Sequence, residues 1–229
     1  MRFAERVATG LEEIAAASRE FAAAPGPRAV IVQVAISLAT KWLRPRLSRF
    51  LAAHPEVALR VVDASGPPDF SAGLDFALVY GADAPPGAER LLAEEVRPLC
   101  SPALRQLLPE RPTAADLLAL PLLHSRNAVG WPDWCRHMGT RAPPAGGIRF
   151  DRSHMAIDAA CEGDGIVLES GLLTEAERRE GRLVAALPNP RATIASAGYA
   201  LVLSGSQLPA EALMFLSWLR AEAGLPAHG

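Results

Sequence analysis

Four serines follow apolar segments of the chain, and their hydroxyls are the clearest candidates for ligand chemistry. Ser37 comes after the β-branched run of residues 30–36, and Ser65, Ser125 and Ser153 stand at the ends of later predicted strands. A hydroxyl where a strand passes into a helix lies among the unpaired N–H groups of the helix N-terminus, which attract anions. In open parallel sheets, ligands bind outside the carboxyl ends of the strands. These positions predict a polar binding pocket, with a plain helix cap as the alternative for each serine.

Residue pairs that would indicate catalysis or metal binding are weak by comparison. Cys135 and His137 are two residues apart on a predicted helix, so they do not share a face on which they could hold one metal ion. Asp151 and His154 could meet at a helix start, although Asp151 could equally cap that helix. The sequence has no phosphate-binding glycine loop and no G-x-S-x-G nucleophile elbow. We therefore expect a binding protein and not an enzyme, with no metal ion and no cofactor.

The elements that must position these serines alternate between strands and helices, as in a parallel α/β sheet. The predicted strands are residues 28–36, 57–63, 74–80, 91–99, 120–124, 148–150, 166–168 and 198–203, with a further strand beginning at 181. The predicted helices are residues 40–53, 131–138, 153–162, 172–179 and 209–223, with a short one opening at Ser101. Two similar halves and a late return segment predict two lobes around a cleft.

The first 24 residues have the pattern of an amphipathic helix. A seam of one polar and five apolar residues, in steps of four and three, is formed by Phe3, Val7, Leu11, Ile14, Ser18 and Phe21. The seam is short and its segment contains Gly10, so the helix needs a partner to be stable. Residues 1–24 are therefore predicted to form a helix that pairs with a second copy of the chain. Packing against its own domain is the alternative.

Composition narrows the classes of protein. The 229 residues, of which 50% are hydrophobic, suffice for one large domain or two small lobes. A net charge of -2 lacks the basic excess of a self-sufficient nucleic-acid binder. Three cysteines without a C-x-x-C pair indicate reduced thiols in the cytoplasm, and no apolar run is long enough for a membrane helix. The N-terminus has no apolar core of a secretion signal, which counts against an exported solute-binding protein.

Eight short segments carry a recognisable order and spacing. They are residues 36–47, 54–55, 74–81, 98–104, 131–134, 156–160, 163–166 and 218–222. Together they resemble the effector-binding domain of LysR-type transcriptional regulators, and within that family the glycine-cleavage-activator-like branch. The resemblance covers residues 28 to 224, and the preceding helix is similar to the family's linker helix.

The resemblance implies a periplasmic-binding-protein-like fold of type II. In such a fold two Rossmann-like α/β lobes enclose a central cleft and are joined by two crossing hinge segments, here preceded by the linker helix. The implied extents are residues 28–98 and 204–225 for lobe I and residues 99–203 for lobe II. The residues expected to line the ligand site are Ser37, Leu38, Ala39, Ser65, Gly66, His124, Ser125, Trp131 and Ser153.

The resemblance also implies a role. A small effector, such as an amino acid or an organic acid, would bind in the cleft of a homodimer or homotetramer in the cytoplasm and so control transcription. DNA would be contacted only through a winged helix-turn-helix that precedes the linker helix and is absent from these residues, and no membrane would be contacted. The alternatives are a free-standing solute-binding protein and a small enzyme of the same fold.

Overall fold

A computed structural model describes residues 28–64, 66–141, 146–205 and 207–225. The predicted linker helix of residues 1–24 and Ser65 lie outside the described residues, so both stay predictions. Within the described part, strands and helices alternate as expected from the sequence, and the strands form one continuous sheet. The sheet is mixed and not parallel throughout, and the helix Ala114–Leu118 was not predicted.

Nine strands of the described residues belong to one sheet, in which the two halves of the chain lie side by side. They are β1 (Val30–Val34), β2 (Leu59–Asp63), β3 (Phe76–Tyr80), β4 (Glu89–Cys100), β5 (Leu122–His124), β6 (Ile148–Arg149), β7 (Ile166–Ser170), β8 (Val184–Ala185) and β9 (Ile194–Leu203). The sheet order is β2-β1-β3-β9-β4-β7-β5-β6, and β8 also pairs with β4. Strands β1, β2 and β3 are parallel, as are β5, β6 and β7, whereas β4 and β9 run antiparallel to their neighbours.

Seven helices cover the sheet in the described residues. Helix α1 comprises Ile36–Leu38, a π-helical turn at Ala39–Leu43, and Arg44–Ala53, and the others are α2 (Pro102–Arg105), α3 (Ala114–Leu118), α4 (Trp131–Met138), α5 (Ser153–Glu162), α6 (Glu175–Arg179) and α7 (Ala210–Glu222). Strands β1 to β3 with α1 and α7 form the first lobe, and β5 to β8 with α2 to α6 form the second.

Helix α1 differs from its prediction at both its start and its middle. It begins at Ile36 rather than near residue 40, so Ser37 is the second residue of the helix and not the residue before it. Pro45 has no N–H to donate to the carbonyl four residues earlier, and its ring would collide with that carbonyl. A π-helical turn precedes it, in which Arg44 N donates to Ala39 O. The wider turn accommodates proline inside a continuous helix.

The crossing strands β4 and β9 connect the lobes, and their pairing is irregular at the crossing point. The β4–β9 register shifts between Arg90 and Leu92 and again between Leu92 and Glu94. Gly198 lies opposite this bulge with φ +68, and a Cβ there would lie 2.1 Å from the Leu92 carbonyl oxygen. Only glycine fits such a position, and a bulge of this kind re-aims the side chains that follow it.

The hydrophobic core is not divided by lobe. One cluster of buried residues joins α1, including Leu38 and Trp42, to Ala156 and Ile157 on α5 of the second lobe. A second cluster lies on the other face of the second lobe, around Trp134. The two lobes therefore pack directly against each other along α1 and α5, and this contact closes one side of the space between them.

Candidate ligand-binding site

A cleft of about 610 Å³ lies between the lobes, at the carboxyl ends of the parallel strands of both. Its walls come from the loops that follow β1, β2 and β3 in the first lobe and β5 and β6 in the second. The lining residues are Ala35, Ile36, Ser37, Ala64, Gly66, Pro67, Pro68, Leu78, Val79, Tyr80, Asp83, Arg126, Asp151, Arg152, Ser153 and Tyr199. The edge on which parallel strands end is where such sheets bind ligands.

Ser37 lies where the N-termini of two helices approach each other. Its buried Oγ accepts a hydrogen bond from His154 N, at 3.3 Å, and lies 3.2 Å from His154 Nδ1. Ser37 belongs to the first turn of α1, and His154 to the first turn of α5 in the opposite lobe. The N–H groups of both first turns give this part of the cleft a positive potential. The serine predicted to contact a ligand thus also joins the lobes.

Two arginines add to the positive charge at the cleft mouth. Arg126 follows β5, is exposed, and has no hydrogen bond or ion pair with any described residue. Arg152 precedes α5, and its Nη2 lies 3.8 Å from Asp63 Oδ2 at the end of β2. Asp83 and Asp151 also line the cleft, so the mouth carries charge of both signs.

A smaller cavity of about 350 Å³ continues from the cleft toward the crossing strands. It shares Tyr80, Asp83, Arg126, Ser153 and Tyr199 with the cleft, and is completed by Ala82, Glu94, Asn127, Ala128 and Leu173. Glu94 is 5% exposed, and the hydroxyls of Tyr80, Ser170 and Ser196 lie beside its carboxyl group. Burial raises the pKa of Glu94 above its usual range, and the same cause raises the pKa of Tyr80 and of Tyr199.

A second buried carboxyl group lies behind this cavity. Glu169 on β7 is fully buried, accepts a hydrogen bond from Ser125 Oγ, and accepts another from Ser170 N at 3.1 Å. Burial raises its pKa, with a further contribution from the neighbouring Glu94. No Lys or Arg of the described residues forms an ion pair with Glu94 or Glu169, so the inner end of the space is acidic.

The two buried carboxyl groups predict a stability that falls as pH rises. Their folded-state pKa values lie above those of the unfolded chain, so between the two the native state binds more protons. The free energy of unfolding then decreases with pH, by at most about 1.4 kcal/mol per pH unit for each group. We expect Glu169→Gln and Glu94→Gln to have shallower slopes than the wild type in urea denaturations from about pH 4.5 to about pH 8.

Glu95→Gln is the matched control for this series, because Glu95 is the next residue of β4 and its side chain is 60% exposed. Its slope should equal that of the wild type. Equal slopes for the wild type and both buried-residue variants would contradict the assignment.

The structure places the other predicted site residues in several surroundings. Gly66 and Ser153 line the cleft, as predicted. The predicted site residues Leu38 and Ala39 do not line it, because Leu38 lies in the core and Ala39 packs against the core. His124 Nε2 donates to Gly146 O at 3.0 Å, and Ser125 is held by Glu169. Trp131 is 1% exposed, and its Nε1 donates to Leu123 O at 3.0 Å. Trp131 thus packs in the core of the second lobe rather than forming a wall of the cleft.

Sequence reasoning missed the residues that close the inner cavity, namely Tyr80, Glu94 and Tyr199. A signal for Glu94 is present, since it stands between Leu92 and Val96 at an inward position of a strand, where charged residues are rare. The bulge before Glu94 interrupts the alternation of inward and outward side chains, from which the face of the sheet that carries Glu94 could have been assigned. The tyrosines have no comparable signal, because an aromatic residue in a strand is usually core.

The geometry of the lobes and the cleft defines the structural class of the protein. Two α/β lobes on crossing strands enclose a cleft at the carboxyl ends of their parallel strands, which is the architecture of a periplasmic-binding-protein-like ligand-binding domain of type II. The sequence matches the family described as the LysR substrate binding domain over residues 28–224, and the chain belongs to that family. The resemblance found in the sequence and the predicted fold class are both confirmed.

Relatives and solved structures agree with this assignment. The chain is 38% identical over 203 residues to the HTH-type transcriptional regulator PerR of Escherichia coli K12, covering 86% of this chain and 67% of PerR. It is 32% identical over 218 residues to the glycine cleavage system transcriptional activator of the same strain, covering 92% and 70%. The effector domain of the transcriptional regulator AmpR of Pseudomonas aeruginosa superposes with a TM-score of 0.71 at 28% identity, covering 86% of this chain and 96% of that structure.

Of the functions left open by the sequence, the matched family supports the domain of a transcriptional regulator. Its relatives are transcriptional regulators, and the chain contains the effector-binding domain of a LysR-type regulator. No helix in the described residues is long and apolar enough to cross a membrane.

Proposed function

We propose that the domain senses a small effector in the cleft between its lobes, and that Ser37, Ser153 and Arg126 contact this effector. The observation that carries the proposal is Arg126, a guanidinium that lines both connected cavities and has no partner among the described residues. An unpaired arginine beside two helix N-termini supports binding of a carboxylate or a similar anion. Gly66, Tyr80 and Tyr199 complete the proposed site.

The contact between Ser37 and His154 suggests how binding would be sensed. These residues belong to opposite lobes, so a ligand that competes for the Ser37 hydroxyl or for the N–H groups of α5 changes how the lobes are held together. A ligand shifts an equilibrium between two arrangements only by its difference in affinity for them. A cleft with contacts from both lobes provides such a difference.

The regulator is proposed to act as a homodimer or homotetramer in the cytoplasm, as the family relationship supports. The linker helix of residues 1–24 would pair between copies, and DNA would be contacted through a winged helix-turn-helix ahead of it. We keep residues 28–98 with 204–225, and residues 99–203, as the proposed extents of the two lobes.

A ligand screen tests the site. Amino acids and small organic acids are first screened by thermal shift, because a ligand of the folded form raises its melting temperature. For each compound that binds, calorimetry compares the wild type with Arg126→Ala. We expect Kd to rise by roughly tenfold or more, since a hydrogen bond to a charged group contributes about 1.5 to 3 kcal/mol.

Arg136→Ala serves as the control, because Arg136 lies on α4 with a side chain that is 76% exposed and pairs with Asp133 outside the cleft. Unchanged Kd values in this variant and a weakened Arg126→Ala variant support the proposed site. An Arg126→Ala variant that binds every such compound as tightly as the wild type contradicts it.

A further inference from the structure

We propose that the effector carries a protonated amino group beside its anionic group, and that Glu94 with the hydroxyls of Tyr80 and Tyr199 binds this ammonium. The inference rests on the proposed function, because it concerns the inner end of the same cleft. It narrows the effector to α-amino acids and short peptides with a free amino terminus, and it sets aside organic acids without an amino group.

The first observation is an unsatisfied oxygen. Glu94 Oε2 is buried and has no hydrogen-bond partner among the described residues. Leaving a buried polar atom unpaired is costly, so such atoms in native proteins have a reason. Because Glu94 lines the 350 Å³ cavity, a donor entering that cavity can satisfy the oxygen.

The second observation is the character of the surrounding groups. The hydroxyls of Tyr80, Ser170 and Ser196 lie beside the Glu94 carboxyl, Glu169 is near enough to interact with its charge, and none of the described basic side chains pairs with it. An ammonium group has three donors and no acceptor, and both carboxylate and hydroxyl oxygens can accept from it. The Tyr80 and Tyr199 rings meet edge to face with centroids 5.6 Å apart, and aromatic rings attract cations.

The third observation is that the two ends belong to one small cavity. Arg126 and Ser153 line the small cavity together with Glu94, so an anion at Arg126 and a cation at Glu94 occupy one cavity of about 350 Å³. A small molecule that carries both a carboxylate and an ammonium, such as an amino acid or a dipeptide, meets this requirement. The adjoining cleft of about 610 Å³ leaves room for a side chain or a second residue.

A metal ion fits the cavity less well than an ammonium. Within the described part of the chain, no group of three or more His, Cys, Asp or Glu side chains is placed to hold a metal ion. Asp83 and Glu94 line the cavity and Glu169 lies behind it, but these carboxyl groups do not come together as a calcium or magnesium site requires.

The experiment uses matched compounds that differ only in the amino group. Each of the common L- and D-amino acids, and the dipeptides of alanine and glycine, is compared with its des-amino carboxylic acid, such as alanine with propionate. Binding to the wild type, Glu94→Gln and Glu95→Gln is measured by calorimetry. Circular dichroism spectra and melting temperatures of the variants establish that they fold.

We expect at least one amino compound to bind at least tenfold more tightly than its des-amino match in the wild type and in Glu95→Gln. In Glu94→Gln this preference should fall below about threefold, because an amide cannot supply the negative charge.

Two results would overturn the inference. The first is that every des-amino acid binds as tightly as its amino match, which leaves the cleft assignment standing if Arg126→Ala still weakens binding. The second is a preference for the amino compound that is unchanged in Glu94→Gln. A panel in which no amino compound binds also counts against the inference, whereas insensitivity to Arg126→Ala counts against the proposed cleft itself.

Discussion

Replacing Lys41 with methionine should lower the free energy of unfolding by about 3 kcal/mol, because it leaves a buried glutamate without its strongest partner. Lys41 is the only lysine of the chain and its side chain is 11% exposed. Its Nζ lies 2.9 Å from Glu177 Oε1 on α6, whose side chain is 4% exposed, and 2.7 Å from Asp158 Oδ1 on α5. Glu177 retains only Arg182, at 3.4 Å, after the change. The measurement is urea denaturation of both proteins.

The charge state of Lys41 makes the loss independent of pH near neutrality. Burial lowers the pKa of this ammonium, but hydrogen bonds to Asp158 and Glu177 outweigh burial and the pKa is raised. A group with a raised folded-state pKa contributes its full stability below its unfolded pKa and loses it only as the pH rises through the folded value. Neutral pH lies below both values for lysine.

A second substitution distinguishes the stability lost to an unpaired charge from the stability lost to poorer packing. In Lys41→Met with Glu177→Met, both buried charges are gone and apolar side chains fill their place, so at least half of the lost stability should return. Arg136→Ala, which removes an exposed ion pair, should change stability by less than about 0.5 kcal/mol. A Lys41→Met variant as stable as Arg136→Ala would show that the contact between α1 and α6 carries no energy.

Replacing Trp131 with alanine should lower the free energy of unfolding by roughly 4 kcal/mol, because it opens a cavity in the second lobe. Trp131 is among the largest fully buried side chains and meets Trp134 edge to face, with ring centroids 5.5 Å apart. Trp131→Phe keeps most of this volume and loses the hydrogen bond to Leu123 O, so it should cost about 1 to 2 kcal/mol. Thermal and urea denaturation measure both variants.

Trp131→Phe also distinguishes the two roles considered for this residue. Because the indole lies in the core and does not line the described cleft, this variant should bind any compound found by thermal shift with the Kd of the wild type. A Kd raised severalfold in Trp131→Phe with unchanged stability would instead support the wall of the site that the sequence suggested.

Local features were predictable because they depend on nearby residues. The helix of residues 131–138 follows from Pro132 in its first turn and Gly139 after its end, and the helix of residues 153–162 ends at Gly163 with φ +92. The strands follow from β-branched runs such as β1. The start of α1 was misplaced, since Ile36 and Ser37 continue an apolar run that reads equally well as strand.

The candidate site was predictable in part. Ser37, Gly66 and Ser153 line the cleft because residues at the ends of parallel strands gather on one edge of a sheet, whichever side chains they carry. Arg126 and Glu94 could not be selected in this way. One is an exposed arginine among many, and the direction of the other depends on a bulge set by Gly198 on a strand about a hundred residues away in sequence.

By itself the sequence determined the order of strands and helices, the family, and the edge of the sheet at which a ligand would bind, because these follow from periodicity, turn residues and motif spacing. Only the tertiary structure decided which side chains meet. Ser37 contacts His154 across 117 residues, and Lys41 reaches Glu177 across 136. Such contacts depend on the relative orientation of the two lobes, which the crossing strands fix. The acidic inner cavity arises in the same way, from Glu94 and Glu169 on two different strands.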